Sequence, residues 1–85
     1  MDYKARKEYE KKLKRLQRSV QKWEESIEKL SQEKESIETQ MGDPEFYQRE
    51  DKDATMSKHR ELEVALIEAE EKWEEAMMEL EEMDQ

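Results

Sequence analysis

The side chains in this chain that could do chemistry are carboxylates, a single histidine and a block of cations. Neighbouring carboxylates such as Glu24 with Glu25, or Glu70 with Glu71, point in different directions on a helix and stay hydrated. Nothing lifts one of them into the range of a general acid. His59 has no second histidine and no cysteine with which to share a metal, so its spacing favours the edge of a core over a ligand role. The acidic segment around Asp51 and Asp53 lacks the glycine and terminal glutamate of a calcium loop. There is no glycine-rich phosphate loop and no nucleophile paired with a base. The expectation is a chain with no catalytic residue, no metal ligand and no cofactor of its own, and therefore not itself an enzyme.

The cations are the more pointed signal. From Met1 to Lys22, nine basic residues stand against Asp2, Glu8 and Glu10, giving this segment +6 and leaving −15 on the rest of a chain whose net charge is −9. A block of this kind can track phosphates, or it can be a solvated face balanced by acidic neighbours. Tyr3 and Tyr9 interleave with the bases and could stack on nucleobases. Tyr9 also continues an apolar series, described next.

Stepping four and three residues at a time from Tyr9 meets Leu13, Leu16, Val20, Trp23, Ile27, Leu30, Lys34, Ile37 and Met41. This heptad alternation places them on one stripe of an α-helix, the seam of a coiled coil, which requires a partner. The partner is downstream: Thr55, His59, Leu62, Leu66, Ala69, Trp73, Ala76, Leu80 and Met83 keep the same alternation. Across an antiparallel hairpin, facing residues have position numbers of constant sum, and Leu13 with Met83 through Met41 with Thr55 all obey one sum. Large residues oppose small ones at Ile27 with Ala69 and Val20 with Ala76. Trp23 faces Trp73, where two indoles require an offset or edge-to-face arrangement. Glu24 and Glu70 should lie near each other on the rim. Lys34, opposite Leu62, either fixes register as a single polar seam residue or snorkels out of it. On the same wheel Lys4, Lys7, Lys11, Lys14, Arg15, Arg18 and Lys22 fall at outer positions, as a stripe facing away from the partner helix.

The single glycine and single proline stand together at Met41-Gly42-Asp43-Pro44 and end the first helix. Gly42 is expected in a left-handed cap, with Asp43 capping a following turn. Glu45, Phe46 and Tyr47 should form that short turn. Phe46 and Tyr47 then either plug the last seam layer or present a contact at the tip. Asp51 or Asp53 caps the second helix, which carries surplus apolar residues at Val64, Ile67, Met77 and Met78. Its last third is so acidic that it should fray against the helix dipole or lean on the basic stripe.

The fold class is thus all-α: a two-helix antiparallel coiled-coil hairpin with a short helical turn at its tip. One domain is expected, with helix one at about 3–41, the tip at 42–53 and helix two at about 54–83. With 48% charged and 33% hydrophobic residues, the composition suits a long helix pair, and the regular seam argues against disorder. A single seam makes a thin core and encloses no pocket. The absence of cysteine suits a reducing compartment, and no apolar run approaches the length of a membrane span, so a soluble, cytoplasmic monomer is expected.

The basic first helix entered by Tyr3 and Lys4, the tip reading Asp43-Pro44-Glu45-Phe46-Tyr47, and Trp73 followed by Glu74 and Glu75 together resemble the C-terminal coiled-coil domain of ABC-F ATPases of the Uup type. The resemblance spans nearly the whole chain. It implies a tail of a larger cytoplasmic protein whose two ATP-binding cassettes, absent here, use ATP and magnesium. It further implies an arm acting on ribosomes in translation or on DNA, with Lys4, Lys7, Lys11, Lys14, Arg15 and Arg18 as the nucleic-acid-binding candidates. The implied partners are DNA or ribosomal RNA, bound weakly, with the ribosome or the parent's ATPase domains nearby and no membrane. The alternative is a protein-interaction or spacer arm using Phe46, Tyr47 and the surplus apolar residues of helix two.

Overall fold

The computed structural model describes residues 2–84. Helix α1 runs Tyr3–Met41, a 3-10 turn occupies Phe46–Gln48, and helix α2 runs Lys52–Met83. No strand occurs among the described residues. The two long helices pack side by side in a body of 67 × 17 × 14 Å. This is the antiparallel hairpin that the repeat requires.

Burial follows the heptads. Leu16, Leu62, Leu66, Ala69 and Ala76 are buried, and every other residue from Leu13 to Met41 and from Thr55 to Met83 that the repeat places in the seam is at least half covered. The register is visible in contacts that cross the seam. Trp73 Nε1 donates to Glu24 Oε1 at 3.1 Å, and His59 Nε2 lies 3.1 Å from Glu38 Oε2. Both pairs differ by a single position from the constant sum, as residues flanking the seam should.

The two tryptophans do not stack on each other. Trp73 turns to one flank, where it lines a shallow groove with Glu24, Ile27, Glu28 and Glu70. Trp23 turns to the other, beside Ser26, Leu30, Ala65 and Lys72, with the Lys22 ammonium 4.9 Å from its ring centre. Diverging in this way lets two large indoles share a layer without spreading the helices. Lys34 is half-buried, lining a shallow groove with Glu63, Leu66, Ile67 and Glu70, and makes no ion pair with either carboxylate.

Helix α1 starts on Asp2, whose carboxylate accepts from Ala5 N at 2.8 Å as a side-chain N-cap. It ends differently from the expectation. Gly42 keeps right-handed values, φ −78° and ψ −11°, and a β-carbon there would meet only ordinary contacts. Pro44 supplies the break instead, because its ring disfavours helical geometry at Asp43. Asp43 caps the turn as expected, its Oδ1 accepting from Glu45 N at 2.9 Å.

The rest of the tip is held by a residue that the repeat does not mark. Arg49 donates from Nε and Nη2 to the two oxygens of Asp51 at 2.9 and 2.7 Å, and from Nη1 to Gln40 Oε1 at 3.3 Å. Its guanidinium also lies over the Phe46 ring, 5.8 Å from the centroid. Asp51 sits at the N-cap of α2, which begins somewhat ahead of Ala54, but its carboxylate is given to Arg49 and caps nothing. Asp53 lies in the first turn, where it favours the helix dipole. The hydrogen bond from Arg49 holds the Asp51 carboxyl below the usual carboxylate range and in return raises Arg49. A carboxyl depressed on folding contributes stability that is present above its unfolded value and lost as pH falls through the lower, folded one. Acid titration of the wild type should therefore show a loss of tip order confined to pH below the ordinary aspartate range. In Asp51→Asn that component should be missing, and identical acid profiles of backbone amide shifts at Arg49 would refute the assignment.

Candidate nucleic-acid interface

The cations of α1 owe their placement to the same heptads that bury the seam. With Leu13, Leu16 and Val20 turned toward α2, Lys4, Lys11 and Arg18 lie opposite the seam, Lys7 and Lys14 to one side of them, and Arg15 and Lys22 to the other. All seven are exposed. At 1.5 Å per residue the stripe is roughly 27 Å long, with a cation at nearly every turn.

The acidic third of α2 lies alongside, since the hairpin brings residues near 80 next to residues near 16. Among the described residues, however, no ion pair joins the basic half of α1 to α2: the pairs found are Arg49 with Asp51, His59 with Glu38 and Glu63, and Lys72 with Glu75. The reason is geometric. Outer positions on two adjacent helices point away from one another across bodies about 10 Å in diameter, beyond the reach of a direct contact. The cations are therefore not neutralised by their own hairpin.

The aromatics at this end divide. Tyr3 is 73% exposed, and the Lys7 ammonium stands 5.5 Å from its ring centre, so the two make an accessible aromatic-cation pair. Tyr9 is more covered, and its hydroxyl donates to the Met83 carbonyl at 3.1 Å. That bond fastens the open end of the hairpin. Helix α2 is helical through Met83, with the Asp84 N–H directed at the carbonyls of Leu80 and Glu81, and among the described residues its acidic end makes no ion pair with the basic stripe.

The tip aromatics also divide. Phe46 is fully buried, while Tyr47 is 59% exposed and meets the Phe46 ring edge-on at 5.3 Å. Phe46 is thus a plug, and of the two only Tyr47 is available to a partner. His59 is in the seam edge, 15% exposed, with Nδ1 2.8 Å from Glu63 and Nε2 3.1 Å from Glu38. The spacing of His59 and Glu63, one helical turn apart, was a usable signal for the first contact. Nothing in the sequence marks Arg49 for its role, because its partners come from the end of α1 and from the loop. No group of acidic, histidine or cysteine residues able to hold a metal occurs among the described residues, and none of the helices is long and apolar enough to cross a membrane.

A family model described as the ABC transporter C-terminal domain matches residues 1–82. No curated protein and no solved structure matches.

Proposed function

Because the chain belongs to the ABC transporter C-terminal domain family, we propose that it is the non-catalytic C-terminal arm of an ABC-F ATP-binding protein acting in translation or DNA-related processes. In this reading the outer face of α1 holds the phosphates of DNA or ribosomal RNA, with Lys4, Lys7, Lys11, Lys14, Arg15 and Arg18 as the contacts. ATP and magnesium belong to the cassettes of the parent protein, which works in the cytoplasm. The observation that carries the proposal is the basic stripe itself, exposed along its whole length and without an ion pair to α2.

The shape limits how such an arm binds. A hairpin 17 Å by 14 Å in section is too thick for a major groove about 12 Å wide, so α1 lies along the backbone and reads no bases. The carboxylates of α2 keep the contact one-sided, and a single row of cations keeps the affinity low. Four phosphate contacts would make affinity fall with roughly the 3.6th power of salt, a loss of about a hundredfold between 50 and 200 mM. Equilibrium binding to duplex DNA and structured RNA over that range, beside a variant with Lys7, Lys11, Lys14 and Arg18 changed to Glu, tests this. The wild type should show the steep slope and the variant no binding, with circular dichroism of both still helical. Absence of binding at low salt, or equal binding by the variant, overturns the proposal.

A further inference from the structure

Helix α2 has a second unpartnered face, on the side of the hairpin away from α1. Val64, Ile67 and Met78 are 58%, 57% and 62% exposed there. Val64 and Met78 share the heptad position directly opposite the seam, and Ile67 lies one turn from Val64. Beside them Glu61, Glu68, Glu75 and Glu82 recur at seven-residue intervals and form a single row along the helix. Of these four, only Glu75 has an ion-pair partner among the described residues, its neighbour Lys72 at 3.6 Å. Two shallow grooves run along this face, one walled by Val64, Ala65 and Glu68, the other by Glu75, Met78 and Glu82.

Apolar anchors, interrupted by Glu71 midway between Val64 and Met78 and bordered by a row of carboxylates, suit a helix that is apolar on one side with cations beside and between its apolar residues. Methionine adds adaptability, since its unbranched, polarisable chain fits irregular surfaces. A second copy of this chain matches in charge alone: the outer face of α1 is cationic, but its apolar stripe is spent in its own seam, and α2 carries like charge. Nucleic acid is repelled by the carboxylates. We propose that the outer face of α2 docks a cationic amphipathic helix of a partner protein, with its apolar side on Val64, Ile67 and Met78 and its cations on the Glu68, Glu75 and Glu82 row. The face is distinct from the basic stripe, so the arm can hold both at once.

The probe is a synthetic helical peptide with leucine along one side and lysine along the other, titrated into the 85-residue chain carrying labelled methyl groups. Methyl shifts should be saturable and confined to Val64, Ile67 and Met78, with Leu16 and Ile37 unmoved. Affinity should fall about tenfold or more for a peptide with serine in place of leucine, and likewise in the Val64→Gln, Ile67→Gln, Met78→Gln chain. These sites are exposed, and a second variant, Glu68→Gln, Glu75→Gln, Glu82→Gln, leaves every apolar contact in place and should lose affinity as well. The charge-reversed α1 variant should bind the peptide undiminished, which separates failure here from failure of the nucleic-acid reading. Equal binding by the serine peptide, shifts centred elsewhere, or sedimentation showing that the chain pairs with itself through this face would overturn the proposal.

Discussion

Phe46→Ala should cost about 3–5 kcal/mol and leave the hairpin barely folded. Among the described residues Phe46 is the one large side chain with no exposure at all, and it closes the end of the seam where the helices exchange direction. Removing its ring exposes the last seam layer around Met41 and Thr55 and takes away the surface on which the Arg49 guanidinium rests. At roughly 0.05–0.15 kcal/mol of stability per residue, the loss is a large fraction of the total. Denaturant unfolding followed by circular dichroism should show a collapse of the transition midpoint. Tyr47→Ala, beside it but 59% exposed, should change stability by only about 0.5 kcal/mol. If the two variants behave alike, Phe46 is not the plug described here.

Leu62→Ala should cost about 2–5 kcal/mol. Leu62 is 2% exposed and faces Lys34, the one charged residue on the α1 side of the seam. It therefore supplies the apolar side chain of that layer, with Leu66 and Ile67 beside Lys34. Val64→Ala is the matched control: at 58% exposure it should cost about 0.5 kcal/mol or less. A hairpin slipped by two positions would invert this order, so the pair of measurements tests the register as well as the energetics. Equal destabilisation by both substitutions would refute it.

The charge distribution gives the hairpin two edges of opposite sign. One edge is the cationic outer face of α1, and the other is the acidic outer face of α2 with its exposed Val64, Ile67 and Met78. Because the heptads turn both outward, neither edge neutralises the other. An intervening low-charge seam keeps them roughly two helix widths apart, beyond the screening length of about 8 Å at physiological salt. The two proposed contacts would therefore not interfere strongly with each other.

Much of this was legible before any coordinates. The alternation of four and three from Leu13 to Met41 and from Thr55 to Met83 determined two helices, their antiparallel pairing, the layer partners and the outward position of the cations. Periodicity carries that information because a helix face is a local property of the chain, and a constant sum of facing positions follows from antiparallel direction alone. Pro44 likewise determined the break through its own ring. What only the tertiary structure decided concerns side chains with more than one allowed destination. Trp23 and Trp73 leave the seam on opposite flanks because two indoles compete for one layer. Phe46 is buried and Tyr47 is not, since the turn admits one ring beneath it. Gly42 stays right-handed because Pro44 already ends the helix. Arg49 joins Asp51 and Phe46, two and three residues away, to Gln40 at the end of α1, through a turn whose course no periodic pattern encodes. Whether the basic stripe is free was decided in the same way, by the reach of its side chains around a helix whose partner lies on the far side.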